Sequence, residues 1–258
     1  IPVIAFGTGS KLKGQDVTEY VENALEAGFT HLDTAQFYRT EPYVGKAIRN
    51  AGFDRSELYV TTKYSGIGTV QWAIRSSLDK LNLKSVDLYL IHGPTLIPSI
   101  PKTWAALELV KKEGLAKTIG VSNFSPKHLT QILSTASIIP AVNQIKLHPY
   151  NLKEQELTLE FCAAHGIVVE AYSSLAPITQ YPGGPLDPVL ARFAERIGGT
   201  PAQVIFKWVL AKGAVVVTTS TRRSRLDEYL AAPSLRTSPS FLIPFPRLSD
   251  TDWCTQLT

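Results

Sequence analysis

The chain has 258 residues, 44% of them hydrophobic and 19% charged, the proportions of a globular protein with one sizeable core. It holds no apolar run of roughly eighteen residues, the length a membrane-spanning helix needs, so neither a span nor a membrane partner is expected. The net charge of +4 raises the question of nucleic acid. The basic residues are scattered, however, apart from "TRRSR" at Thr221–Arg225, a group that suits a single phosphate better than a duplex backbone.

The opening stretch "IPVIAFGTGS" has neither the basic flank nor the long apolar segment of a signal peptide, and with no initiator Met a trimmed or missing natural N-terminus is expected. Two cysteines, Cys162 and Cys254, make no disulfide framework and no metal motif. Cys162 falls in an apolar helical pattern and reads as inert core. These features favour a reducing, cytoplasmic compartment.

Along the chain, β-rich runs alternate with amphipathic ones. The strand candidates are "PVIAFG", "THLDTA", "LYVTTK", "VDLYLIH", "AKTIGVSN", "AVNQIKL", "IVVEAYS" and "AVVVTTS". Between them, apolar residues recur at three-and-four spacing over Asp16–Ala27, Val70–Leu81, Pro101–Glu113 and Glu154–Ala164. Ser125 and Thr200 supply N-cap signals, and Gly28, Gly114 and Gly166 stand where helices should stop. Eight strand candidates alternating with helices are the pattern of a (β/α)8 TIM barrel, one domain over residues 1–258. The helical run Asp187–Ile197 is an extra helix before the seventh barrel helix, Pro201–Lys212. A doubly wound sheet is the alternative, but "GTGSKLKG" lacks the spacing of a dinucleotide-binding turn.

The strand ends are polar. Asp33, Lys63, His92, Ser122 with Asn123, Gln144, Tyr172 and Thr218–Thr221 close successive strand candidates, and in a barrel these ends meet at one mouth. A charged residue ending an apolar strand needs a partner. Asp33, Tyr38, Lys63 and His92 together offer a carboxylate, a phenol, an ammonium and an imidazole. The ammonium is expected to lower the phenol pKa and the carboxylate to hold the ammonium, making Tyr38 a proton donor to a developing alkoxide. His92 would position a carbonyl oxygen. Neither a metal cluster nor a Ser–His–Asp arrangement is suggested.

On "HLDTAQFYRTEPYVGKAI", "LYVTTK", "VDLYLIHGP", "KTIGVSNFS", "VNQIKLHPY" and "VEAYSSLAP", in that order, the chain resembles the aldo-keto reductases from about Val3 to about Ala231. The resemblance is nearest to fungal-type carbonyl reductases acting on conjugated polyketones or ketopantoyl lactone. It implies a catalytic set of Asp33, Tyr38, Lys63 and His92, NADPH as cofactor and a small-molecule carbonyl substrate. Ser122, Asn123 and Gln144 would hydrogen-bond the nicotinamide carboxamide and Tyr172 would stack on the ring. Gly9 and Ser10 would lie near the nicotinamide ribose, and Ser173 and Leu175 near the pyrophosphate. Thr219, Ser220, Thr221 and Arg225 would receive the 2′-phosphate, with Arg225 aligning with the family's phosphate-binding arginine and Arg222 and Arg223 as nearer competitors.

Departures accompany the likeness. "TTST" at Thr218–Thr221 replaces the family's Ile-Pro-Lys-Ser, and the usual N-terminal hairpin is largely absent. The stretch 233–258 is an atypical C-terminal tail, in which the apolar "FLIPFP" suggests a pocket wall, with a disordered end as the alternative. Trp104 and Tyr64 are candidate aromatic walls, Trp104 fitting the core face of its helix better. Two further readings stay open: a non-catalytic, NADPH-binding regulatory subunit of the channel-associated type, and an NAD-linked alcohol or sugar dehydrogenase. A monomer is expected, with a homodimer as the alternative.

Overall fold

The computed structural model describes residues 1–235, and the proposed tail beyond Leu235, with Cys254, lies outside them. Eight parallel strands close into a barrel in chain order. They are β1 (Ile4–Gly7), β2 (His31–Asp33), β3 (Tyr59–Tyr64), β4 (Val86–Ile91), β5 (Ala116–Ser122), β6 (Val142–Lys146), β7 (Val168–Tyr172) and β8 (Val215–Thr218). The helices are α1 (Thr18–Ala27), α2 (Glu41–Ala51), α3 (Val70–Leu81), α4 (Ile100–Lys112), α5 (Pro126–Leu133), α6 (Leu152–Ala164), α7 (Ala176–Thr179), α8 (Asp187–Ile197), α9 (Pro201–Ala211) and α10 (Arg223–Ala231). Barrel and extra helix α8 are as the sequence predicts; the single turn α7 has no periodicity that would announce it. Among the described residues no helix is long and apolar enough to cross a membrane.

The pleat sorts each strand into two faces. Tyr89 and Ile91 of β4 join the large apolar cluster between strands and helices, whereas Leu88 and Leu90 pack with Val142 and Val168 inside the barrel. The same alternation turns Leu32, Val60, Ile145 and Val169 outward into that cluster. Their neighbours His31, Asp33, Lys63, Gln144 and Glu170 therefore face the barrel axis. Register stacks the mouth: Gly7 pairs with Asp33, Lys63 with Leu90, Ser122 with Gln144, and Tyr172 with Val217.

Helix ends follow local chemistry. Thr200 Oγ1 accepts from Gln203 N at 3.3 Å while Gln203 Oε1 accepts from Thr200 N at 2.9 Å, a reciprocal cap that starts α9. At α5 the Ser125 N–H donates to His128 Nδ1 at 3.2 Å, so Ser125 is the cap its sequence suggests. Asp16 stays outside α1 and accepts from Thr18 N at 2.9 Å, which delays the helix start by two residues relative to the sequence reading. Cys162 is fully buried against Asn143, as expected of core.

Candidate active site

β2 and β3 deliver Asp33 and Lys63 at inward positions of adjacent strands. Lys63 is fully buried, and its Nζ donates to Asp33 Oδ1 at 2.5 Å and to the Thr34 carbonyl at 3.0 Å. Burial works against the ammonium, but Asp33 and the nearby Tyr38 outweigh it and hold the Lys63 pKa above its ordinary value. The remaining Asp33 oxygen, Oδ2, accepts from Gln144 Nε2 at 2.8 Å. The carboxylate is thus bonded on both sides.

Tyr38 ends the 3₁₀ turn Gln36–Tyr38 that follows β2. Lys63 Nζ lies 5.0 Å from its ring centre, and the His92 ring meets it edge-on at 5.3 Å. A Cβ on Gly9 would come within 2.8 Å of the phenol Cζ, so only glycine lets the β1 loop cross this close. The expected lowering of the Tyr38 pKa is not found. Burial raises it, Asp33 adds to the rise, and Lys63 offsets only part. The phenol is held protonated, the form a proton donor requires.

His92 follows β4. Its Nδ1 lies 3.0 Å from Ser65 Oγ, which already accepts from the Phe37 N–H at 3.2 Å. The Ser65 hydroxyl proton is therefore free to go to Nδ1, leaving the imidazole proton on Nε2. Burial, reinforced by Lys63, pushes the His92 pKa down to about 4, so the ring is neutral near pH 7. A neutral Nε2–H beside a protonated phenol can grip a carbonyl oxygen. Ser65 is a site residue the sequence reading missed, because a serine after a strand carries no signal of its partner.

The other strand ends carry the remaining predicted residues. Ser122 Oγ donates to the Gln144 carbonyl at 2.8 Å, and Asn123 Nδ2 donates to the His92 carbonyl at 3.1 Å. Tyr172 OH donates to Asn123 Oδ1 at 2.9 Å, tying β7 to β5 across the mouth. Ser10, Asn123 and Ser173 adopt φ of 55°, 63° and 56°, a left-handed conformation non-glycine residues rarely take outside ligand sites and turns. Leu175 is half-buried just before α7. Gly9, Ser10, Ser122, Asn123, Gln144, Tyr172, Ser173 and Leu175 therefore all sit on β1, β5, β6 or β7 ends or the loops that follow them.

After β8 the groups are more open. Thr219 Oγ1 is buried without a hydrogen-bond partner among the described residues, and Thr221 and Arg225 are exposed. Ser220 Oγ accepts from the Arg222 N–H at 3.1 Å and shapes the entry to α10. Arg223 is engaged elsewhere, bridging Glu26 at 3.2 Å and Asp227 at 3.1 Å. No ion pair among the described residues engages Arg222 or Arg225. Trp104 is core, its Nε1 donating to the Ile138 carbonyl at 3.0 Å, and Tyr64 is turned outward with its OH on the Gly68 carbonyl. Neither walls the mouth. Phe37, 55% exposed with its ring 6.3 Å from that of His92, does. A cavity of about 450 Å3 beside Lys146, His148 and Tyr181 contains none of the four predicted catalytic groups.

Comparison with known proteins gives a consistent neighbourhood. The sequence profile of the aldo/keto reductase family matches residues 3–242. An NAD/NADP-dependent indole-3-acetaldehyde reductase of Schizosaccharomyces pombe is 36% identical over 243 residues, covering 89% of this chain and 85% of its own. The methylglyoxal reductase DkgA of Escherichia coli is 38% identical over 220 residues, 83% of this chain and 78% of its own. A Bombyx mori aldo-keto reductase solved in complex with NADP superposes with a TM-score of 0.83 at 31% identity, covering 93% of this chain and 87% of the other.

Proposed function

The chain belongs to the aldo/keto reductase family, whose members reduce carbonyl compounds with NAD(P)H, and on that premise we propose an NADPH-dependent reductase of aldehydes or ketones with Tyr38 as proton donor. The observation that carries the reading is the fully buried Lys63–Asp33 pair beneath the Tyr38 phenol, with a neutral His92 against the same ring. A buried ion pair is costly to build, and perturbed titratable groups gathered around such a pair cluster at functional sites.

The residues fit the coenzyme. Thr219 Oγ1 is a buried hydroxyl unpartnered among the described residues, and Ser10, Asn123 and Ser173 hold left-handed backbone around the mouth. Ser122, Asn123 and Gln144 would hold the carboxamide, Tyr172 would stack on the ring, and Gly9 and Ser10 would line the ribose. Ser173 and Leu175 would meet the pyrophosphate, and Thr219, Ser220, Thr221 and Arg225 the 2′-phosphate. Arg223 is the weakest candidate because Glu26 and Asp227 already hold it. When bound, the coenzyme supplies the hydride. Everything else falls to the chain: His92 Nε2–H orients the carbonyl oxygen, Tyr38 gives its proton to that oxygen, and Lys63, held by Asp33, stabilises the phenolate left behind. The exposed Phe37 favours substrates with an apolar body, in keeping with the aldehydes and ketones named above.

The test is oxidation of NADPH and of NADH with an aromatic aldehyde, a diketone and a keto-lactone. Turnover with a marked NADPH preference is expected. Coenzyme binding without turnover of any carbonyl would point to a regulatory subunit, and equal use of NADH to an NAD-linked dehydrogenase; either result overturns the proposal.

A further inference from the structure

Inside the barrel, one inward position below Tyr172 on β7, stands a carboxyl with no assigned task. Glu170 is fully buried. Its Oε2 accepts from Gln144 Nε2 at 2.7 Å, and its Oε1 has no partner among the described residues. The same Gln144 nitrogen donates at 2.8 Å to Asp33 Oδ2, whose other oxygen binds Lys63. A continuous chain of contacts therefore runs from Glu170 through Gln144 and Asp33 to Lys63, under the Tyr38 ring.

The Gln144 amide has two N–H groups, and two carboxyl groups take both. Its Oε1 accepts no hydrogen bond from a described residue. With one carboxyl gone, the second N–H would be left buried without an acceptor, and the amide would be free to turn or flip. With both in place, nitrogen points at the carboxyls and oxygen is the atom left for a ligand.

We infer that Glu170 is a positioning residue: it fixes the Gln144 amide so that its carbonyl oxygen, and not its nitrogen, meets the N–H of the coenzyme carboxamide. The inference rests on the coenzyme reading given above for Gln144. It is specific to the carboxamide, because a coenzyme lacking that N–H has nothing to give Oε1. The cost of keeping the residue is visible in its surroundings. Asp33 faces it from β2, Tyr59 and Lys63 from β3 and the neutral Gln144 from β6, the N-terminal ammonium acts on it from beyond β1, and β8 offers only Val215 and Val217. Burial, reinforced by Asp33, raises its pKa to about 7, with Gln144 and Lys63 offsetting part of that rise.

Two variants separate orientation from bulk. Glu170→Gln keeps an oxygen for the Gln144 N–H, whereas Glu170→Leu keeps volume and removes the acceptor. Dissociation constants are measured without substrate for NADPH and for its 3-acetylpyridine analogue, in which a methyl ketone replaces the carboxamide. Glu170→Leu is expected to weaken NADPH by roughly tenfold, the scale of one well-placed hydrogen bond, and to leave the analogue within about twofold. Glu170→Gln is expected to restore NADPH affinity. Thermal stability supplies an independent reading. Between its ordinary value of 4.5 and about 7 the folded Glu170 binds a proton that the unfolded chain has lost, so Glu170 itself contributes a loss of stability as pH rises through that window, against the background of the other titrating groups. Both variants should lack this contribution, so their stability relative to wild type should rise with pH between 4.5 and about 7. Should the leucine variant not fold, Glu170→Ala takes its place. Unchanged NADPH affinity in Glu170→Leu, or equal weakening of both coenzymes, overturns the inference; wild type that binds neither coenzyme overturns the proposed function instead.

Discussion

At the ends of β2, β3 and β4, polar groups arrive already paired. Lys63 is on Asp33 and the Thr34 carbonyl, Asp33 on Gln144, and His92 on Ser65. Past the end of β8 the groups are less engaged: among the described residues Thr219 Oγ1 is buried without a partner and no ion pair engages Arg222 or Arg225, although Arg225 reaches Tyr229. Under the proposed function the difference separates two tasks. A proton-donating group must have its surroundings fixed before the reaction, since reorganising them during it costs rate. A site for an anionic coenzyme tail can leave its donors open, because the ligand completes them.

The paired side should fail hardest. Lys63→Met leaves Asp33 buried without its cation, so the unfolding free energy should fall by about 3–5 kcal/mol in denaturant titration. Reduction should fall by roughly 10²–10⁴-fold as the phenolate loses its counter-charge. Adding Asp33→Asn should recover stability but not rate, which separates the fold from the chemistry. On the open side, Arg225→Ala should weaken NADPH by roughly ten- to a hundredfold, the scale of hydrogen bonds to a charged group, while NADH affinity and stability barely change. Equal losses for both coenzymes would place Arg225 away from the 2′-phosphate.

Acid should act on the paired side next. Burial pushes His31 and His92 down to about 4. Below the ordinary histidine value of 6.5 the unfolded chain binds protons that the folded chain refuses, so stability rises with pH across this window and is lost as pH falls from 6.5 towards 4. Glu170 contributes with the opposite sign between 4.5 and about 7. Thermal midpoints of His31→Asn should therefore fall less on acidification than those of wild type. The smallest effect is expected from Ser65→Ala. Without the hydroxyl on Nδ1 the imidazole proton is free to change nitrogen, and kcat should fall by about three- to tenfold with NADPH affinity unchanged.

The same contrast explains what was legible in the sequence. Asp33, Lys63 and Gln144 stand out because a polar residue ending an apolar strand is conspicuous, and the two-residue period turns them all inward. Glu170 sits mid-strand in "IVVEAYS", and its partner Gln144 lies on β6 with the second carboxyl of that amide, Asp33, on β2, so nothing local marks it. The Tyr38 pKa was expected to fall because charge can be read from residue types, whereas burial, which raises it, depends on the crossing of the Gly9 loop. Arg223 looked equivalent to its neighbours in "TRRSR" until the fold placed Glu26 of α1 beside it. Helix positions were legible from periodicity, and their ends only where a cap such as Thr200 or Ser125 fixed them.

The central claim is that the phenol of Tyr38, protonated and poised over Lys63, supplies the proton without itself holding the coenzyme. Single-turnover reduction of an aromatic aldehyde by bound NADPH, compared between wild type and Tyr38→Phe with the NADPH dissociation constant measured for each, tests it most directly. A rate lower by roughly 10²–10⁴-fold with a dissociation constant within about threefold of wild type is the predicted result. A variant that reduces the aldehyde within a few-fold of the wild-type rate would contradict the account.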